Sequence, residues 1–219
     1  HSFYKFLIAQ GLCPILFDWG STVTTLAGAT VESLSRNYVA PALRFLYQSR
    51  QDTPVTLGYC IGGVMSIPAQ EKLMNERGTE DIDKATPLIL LATPWDFASE
   101  ADLTHKWAQN LYASSLKQKG MVPPDVMPSY FASLDPAYAL QKYLDFNAME
   151  GEDARIFVSV EDWANAVQPL GWGVFRDILK RYYIDNHFKD IHLHEAVRSR
   201  CQALIVVAQK DRIVAQESA

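Results

Sequence analysis

A cysteine set between glycines carries the clearest chemistry in this chain. Gly58-Tyr59-Cys60-Ile61-Gly62-Gly63 has the form G-x-nucleophile-x-G, directly between an apolar strand-like run and a helical one. A nucleophile in so tight a turn is held in a strained backbone conformation. Small neighbours such as Gly58 and Gly62 let the chain approach itself that closely. The turn lifts the Cys60 sulfur to a helix amino terminus, where the dipole favours thiolate. The backbone N–H of Ile61 is then aimed into the site as one oxyanion donor. A core cysteine in a plain strand-to-helix turn would give the same string. What favours the nucleophile is the context its chemistry requires, a strand before and a helix after.

Asp211 is the second candidate. It stands just past the carboxyl end of a later apolar run, where a triad acid orients its base; a turn-forming Asp in a Lys-Asp-Arg loop is the other explanation. The order nucleophile, acid, base asks for a histidine after Asp211, and the remaining eight residues contain none. His105, His187, His192 and His194 all precede it, so the base is expected beyond residue 219. Asp18-Trp19 and Asp96 end apolar runs on the same expected edge, where turn chemistry explains them nearly as well. Cys13, Cys60 and Cys201 lie far apart, with no CxxC or Cys/His ligand spacing. They predict neither a disulfide framework nor a metal site, and fit a reducing compartment.

These side chains need a frame. Residues 2–10 read as a short helix, Cys13 to Phe17 as an apolar run stopping at Asp18, and residues 29–49 as an amphipathic helix through Val31, Leu34, Tyr38, Ala42 and Phe45. A strand over Pro54–Tyr59 precedes a helix to about Arg77, closed by Gly78. Pro68 should kink that helix or confine its regular part to the residues after the proline. A third run, Leu88–Ala92, ends at Thr93-Pro94-Trp95-Asp96-Phe97, and Ala203–Ala208 restores the strand pattern before Asp211. Apolar strands alternating with helices predict an α/β fold, a mainly parallel sheet covered on both faces. Between them, residues 98–200 form a mainly helical, aromatic-rich insertion with Trp107, Tyr112, Tyr130, Phe131, Tyr138, Tyr143, Phe146, Trp163 and Trp172. The expected organisation is a core over 1–97, a helical cap over 98–200 and the core again over 201–219. Aromatic residues at helical spacing are also ordinary packing, so the insertion reads either as a lid over an acyl channel or as plain core.

Composition narrows the function classes. The 219 residues are 48% hydrophobic and 21% charged, with a net charge of −5. No basic run offers a phosphate backbone a hold, so nucleic acid is not an expected partner. No stretch approaches the ~18 apolar residues that cross a bilayer. The chain opens without methionine inside an apolar segment (Phe3, Phe6, Leu7) and stops soon after a strand. Both ends of a larger protein are therefore expected to lie outside it.

On these residues the chain resembles the catalytic domain of polyhydroxyalkanoate synthases, a branch of the α/β-hydrolase superfamily. That family's lipase-like box carries cysteine in place of serine, as Gly58-Tyr59-Cys60-Ile61-Gly62-Gly63 does. Leu91-Ala92-Thr93-Pro94-Trp95-Asp96-Phe97 is similar to its strand ending in Asp-Phe, Trp163-Ala164-Asn165 to its Trp-x-Asn segment, and Asp211-Arg212-Ile213-Val214-Ala215 to its Asp-His-Ile-Val-Pro loop. Arg212, Ala215 and Ala166 depart from the family pattern. The resemblance implies an α/β-hydrolase fold, Cys60 as the acyl-accepting nucleophile and Asp211 as the triad acid. It implies a hydroxyacyl-coenzyme A substrate and a polyester product, with no metal or tightly bound cofactor. The cytoplasm, at the polyester granule surface, is the implied location, and a homodimer is an admissible assembly. A cysteine-nucleophile thioesterase or esterase, and a non-catalytic granule- or partner-binding relative, are the alternatives.

Overall fold

Three short apolar runs pair side by side: β1 (Thr56–Tyr59), β2 (Leu88–Leu91) and β3 (Ala203–Val206), in the order β1-β2-β3 and all parallel. Parallel neighbours need crossover segments, which here are largely helical. The computed structural model describes residues 2–19, 26, 28–49, 54–76, 86–99, 102–166, 168–187, 201–211, 213, 214 and 216–218. In chain order its helices are α1 (Phe3–Ala9), α2 (Val31–Leu34, continuing through a π-helical stretch Ser35–Val39 into Ala40–Ser49), α3 (Ile61–Glu76), α4 (Asp102–Ser115), α5 (Val126–Leu134), α6 (Pro136–Phe146), α7 (Gly151–Asn165) and α8 (Trp172–Asp177, continuing as a π-helical stretch Ile178–Ile184). The chain divides into two compact units, one of Leu26–Gly120 with Gly171–Ala219, the other of His1–Thr25 with Met121–Leu170.

The larger unit holds the sheet. Tyr59 pairs with Leu91, and Leu91 with Val206, so all three carboxyl ends lie on one edge. Gly58, Leu88 and Leu90 are buried on the face that carries α3. Leu57, Tyr59, Leu204 and Val206, which alternate to the opposite face, are exposed, Leu204 at 58%. Among the described residues the expected cover is found only over β1 and β2 on the α3 face; β3 is exposed on both faces, Ile205 at 54%. Helix α3 passes unbroken through Pro68. Loss of one backbone hydrogen bond is tolerated there because buried residues surround the helix, from Gly63 and Val64 to Leu73 and Met74. The expected closure at Gly78 lies outside the described residues.

A capping box opens helix α2: the Thr30 hydroxyl accepts from Ser33 N–H (3.0 Å) and the Ser33 hydroxyl from Thr30 N–H (2.8 Å). A further orphan donor, Val31 N–H, is taken by Asp177 Oδ2 of α8 at 2.8 Å. Arg181 of α8 pairs with Glu32 at 2.8 Å, and Arg36 of α2 with Glu71 of α3 at 2.7 Å. Partly exposed pairs of this kind contribute about 0–1 kcal/mol each, so their value is orientation. Phe97, buried, stacks on Tyr182 and meets Tyr183 edge-on, which pins the segment after β2 to α8.

The smaller unit is mainly helical in its described part, with a two-residue strand at Met121–Val122. Asp135 caps α6 by accepting from Tyr138 N–H at 3.0 Å, with Pro136 at the first helical position. Phe146 stacks on Phe157 at 4.6 Å between centroids, and Glu161 of α7 accepts from Lys142 (2.7 Å) and Tyr143 (2.6 Å) of α6. Burial opposes ionisation of Glu161, but those hydrogen bonds outweigh it and hold the carboxyl below its ordinary range. The aromatic residues do not form the inner surface expected of them within this unit. Tyr130 of α5 is buried, whereas Phe131 of the same helix is exposed, as are Tyr138, Tyr143 and Trp163 on α6 and α7, which bury no residue fully; Trp163 is 68% exposed. Cys13 to Phe17 lies here too and forms no strand, so Asp18 and Trp19 do not end one. No helix among the described residues is long and apolar enough to cross a membrane.

Candidate active site

Cys60 is the single residue between β1 and α3, and its backbone is left-handed, with φ 53°. For a residue with a Cβ that conformation costs about 1–2 kcal/mol. Its own backbone hydrogen bonds hold it there. Cys60 N–H donates to Leu91 O at 2.9 Å, extending the ladder one residue past β1, and Cys60 O accepts from Gly63 N–H at 2.9 Å, starting α3. This is the strand-to-helix turn that the glycine spacing predicts.

The tight approach lies partly elsewhere than the spacing suggests. A Cβ built on Gly58 would press on Gly63 Cα and lie 2.6 Å from Gly63 N and 2.8 Å from Ser66 Oγ. One built on Gly63 would run into Thr93, 2.6 Å from its Cγ2. Gly62, by contrast, has open space around its Cα and no positive φ, so neither sterics nor backbone conformation demands glycine there. The close pair is Gly58 and Gly63. The expected role of Gly62 passes to its neighbour because the first turn of α3 presents residue 63, not 62, to the strand.

The thiol is not lowered, as a helix terminus alone would have it. Burial pushes the Cys60 pKa up, a hydrogen bond from Ile61 N–H pulls it down, and the charge of Asp211 pushes it up again; the sum lies above the ordinary thiol range. The Ile61 N–H at the sulfur is thus outweighed by desolvation and a carboxylate. Asp211 also raises the phenol of Tyr59, after burial and Cys60, so Tyr59, Cys60 and Asp211 share one electrostatic environment. Glycine spacing gives no signal for Tyr59, although strand alternation sets it on the face opposite α3, next to the nucleophile.

Asp211 Oδ1 accepts from Ile213 N–H at 2.8 Å and Val214 N–H at 3.0 Å. The carboxylate shapes its own loop, as a turn Asp does, and at the same time acts on the thiol. Asp96 has turned to other work: its Oδ1 accepts from Asn186 Nδ2 at 2.8 Å and Ala98 N–H at 3.1 Å, while Trp95 and Asp96 N–H donate to Ser218 O. His187 is engaged with Arg181 at 2.6 Å and His105 sits on α4; neither contributes to the shift of the Cys60 thiol. His192, His194, Arg212 and Ala215 lie outside the described residues. Among the described residues no group of three His, Cys, Asp or Glu side chains is arranged to hold a metal ion.

A pH experiment tests this balance. Alkylation by iodoacetamide consumes thiolate, so labelling of Cys60 is expected to rise with pH through a midpoint above that of an ordinary thiol. Asp211→Asn removes a charge that opposes ionisation, so it should lower the midpoint and speed labelling at neutral pH. A midpoint unmoved by that change would separate Asp211 from the thiol.

No family model matches the chain. Compared with curated proteins, it is 25% identical, in an alignment 224 positions long that covers 96% of this chain, to the poly(3-hydroxyalkanoate) polymerase subunit PhaC of Thiocystis violacea. It is 24% identical, over 96% and 97% of its length respectively, to the subunits of the same name from Allochromatium vinosum and Haloferax mediterranei. The chain spans 60% of the length of the first two relatives and 44% of the third. Along nearly all of its own length, then, this chain is similar to poly(3-hydroxyalkanoate) polymerase subunits, the family its cysteine box resembles.

Proposed function

We propose that this chain carries the acyl-transfer centre of a polyhydroxyalkanoate synthase on an α/β-hydrolase core, with Cys60 as nucleophile and Asp211 as triad acid. An imidazole base oriented by Asp211 takes the Cys60 thiol proton, the thiolate attacks the carbonyl of an (R)-3-hydroxyacyl-coenzyme A thioester, and coenzyme A leaves as its thiol with the proton the base returns. The acyl group then passes to the hydroxyl at the end of the growing polyester, whose proton goes to an imidazole base oriented by Asp211, and the thiolate departs. Thioester and acyl-cysteine are close in energy, which suits a reversible covalent carrier. Ile61 N–H steadies the oxyanion, and no metal or bound cofactor takes part. Hydroxyacyl-coenzyme A and polyester are the substrate and product, at a granule surface.

One observation carries the reading: a cysteine held left-handed between strand and helix, with a carboxylate from the end of a third parallel strand acting on its thiol. The raised thiol explains why a base is needed as well as a helix terminus. Asp211→Asn is accordingly expected to move the two assays in opposite directions. It eases alkylation of Cys60 yet lowers acyl transfer by about 10²-fold or more, because an unoriented base is lost. The direct test supplies 3-hydroxybutyryl-coenzyme A to the protein with any partner subunit it requires, measuring coenzyme A release and product. Polymer supports the reading; free hydroxy acid in place of polymer assigns a thioesterase, and neither product assigns a binding domain.

A further inference from the structure

The turn that carries Cys60 has a counterpart one strand away. Tyr59 and Leu91 are register partners, and the next residue on each strand, Cys60 and Ala92, is a non-glycine with positive φ, 53° and 47°. Ala92 is fixed by donating to Val206 O at 2.9 Å, as Cys60 is by donating to Leu91 O. Two left-handed residues side by side persist only where the surroundings over-determine them.

What the second one accomplishes is visible in the alternation of β2. Leu88 and Leu90 face α3, so an uninterrupted strand would turn residue 92 toward α3 and residue 93 away. The left-handed step at Ala92 breaks that parity and delivers Thr93 to the α3 side. There Thr93 is 3% exposed and sits directly against Gly63, while its Oγ1 donates to Gly58 O at 3.5 Å. Gly58 and Gly63 are the two arms of the Cys60 turn. One side chain touches both.

We propose that Thr93 is a positioning residue for the Cys60 sulfur, bracing the strand arm at Gly58 and the helix arm at Gly63 and so fixing the turn between them. This deepens the reading of Cys60 as the nucleophile and rests on it. Threonine suits the task because its hydroxyl serves the Gly58 carbonyl while its methyl packs. Valine keeps the shape, loses the donor and puts a larger group against Gly63.

The test uses the full chain with Thr93→Val, Thr93→Ala and the conservative Thr93→Ser. Two quantities are read: the pH profile of Cys60 alkylation, resolved from Cys13 and Cys201 by peptide mass spectrometry, and the rate of acylation by a hydroxyacyl thioester. Thr93→Val and Thr93→Ala should shift the alkylation midpoint and slow acylation about tenfold or more, the scale of a small misplacement of a reacting group. Thr93→Ser should restore both. Should Thr93→Val fail to melt cooperatively, the smaller Thr93→Ala, which crowds nothing, decides the matter. Wild-type midpoints and acylation rates in the folded valine or alanine variant overturn the proposal. Absence of acylation in the unaltered protein would instead count against the proposed function, and the alkylation profiles would still decide the role of Thr93.

Discussion

Replacing Cys60 with alanine is expected to abolish the acyl-enzyme and to lower acyl transfer by at least about 10⁴-fold, the scale seen when a covalent nucleophile is removed. The fold should hardly respond. Alanine keeps a Cβ and therefore the same left-handed cost that Cys60 bears at φ 53°, and loss of one half-buried sulfur is worth about 1 kcal/mol. Cys60→Gly separates chemistry from strain. It is equally inactive, but it relieves about 1–2 kcal/mol of left-handed cost, partly offset by the extra freedom of glycine in the unfolded chain. It should therefore melt above Cys60→Ala. Intact-protein mass after exposure to a hydroxyacyl thioester, with thermal melting of the three proteins, reads both effects. Turnover surviving in the alanine variant would refute covalent catalysis at Cys60. A glycine variant melting below the alanine variant would show that the turn stores no strain.

The second large effect separates glycines that look alike in the box. Gly58→Ala places a methyl against the backbone of Gly63 and 2.8 Å from Ser66 Oγ. Backbone cannot swing aside as a side chain can, so α3 must shift as a body. A loss of about 3 kcal/mol or more is expected, roughly 6–12 °C in melting temperature for a chain of this size. Gly63→Ala meets Thr93 and should be comparably damaging. Gly62→Ala meets nothing and replaces a glycine in the first turn of a helix, a gain of up to about 1 kcal/mol. Melting curves of the three variants are the check. Equal losses at 58 and 62 would contradict the packing described.

The order strand, nucleophile turn, helix was legible in the chain, and so were β2, β3 and the start of α2. Each rests on short-range physics: apolar periodicity and the small residues that a tight turn demands. Asp211 was legible for the same reason, as an acid a few residues past an apolar run. Other features had no local signature. That Gly63 and not Gly62 is the close-packed glycine depends on Thr93, thirty residues on, and Thr93 reaches it only because Ala92 turns left-handed. That Cys13 to Phe17 forms no strand, and that Leu57, Tyr59, Leu204 and Val206 face solvent, depends on which elements found partners in space. The sharpest division is at the sulfur. From the sequence, a helix amino terminus predicts an easily formed thiolate; in the structure, burial and the Asp211 carboxylate outweigh the one N–H that Ile61 supplies. A dipole is a property of the next few residues, whereas desolvation and a neighbouring charge are sums over everything packed nearby, and only the tertiary structure sets them.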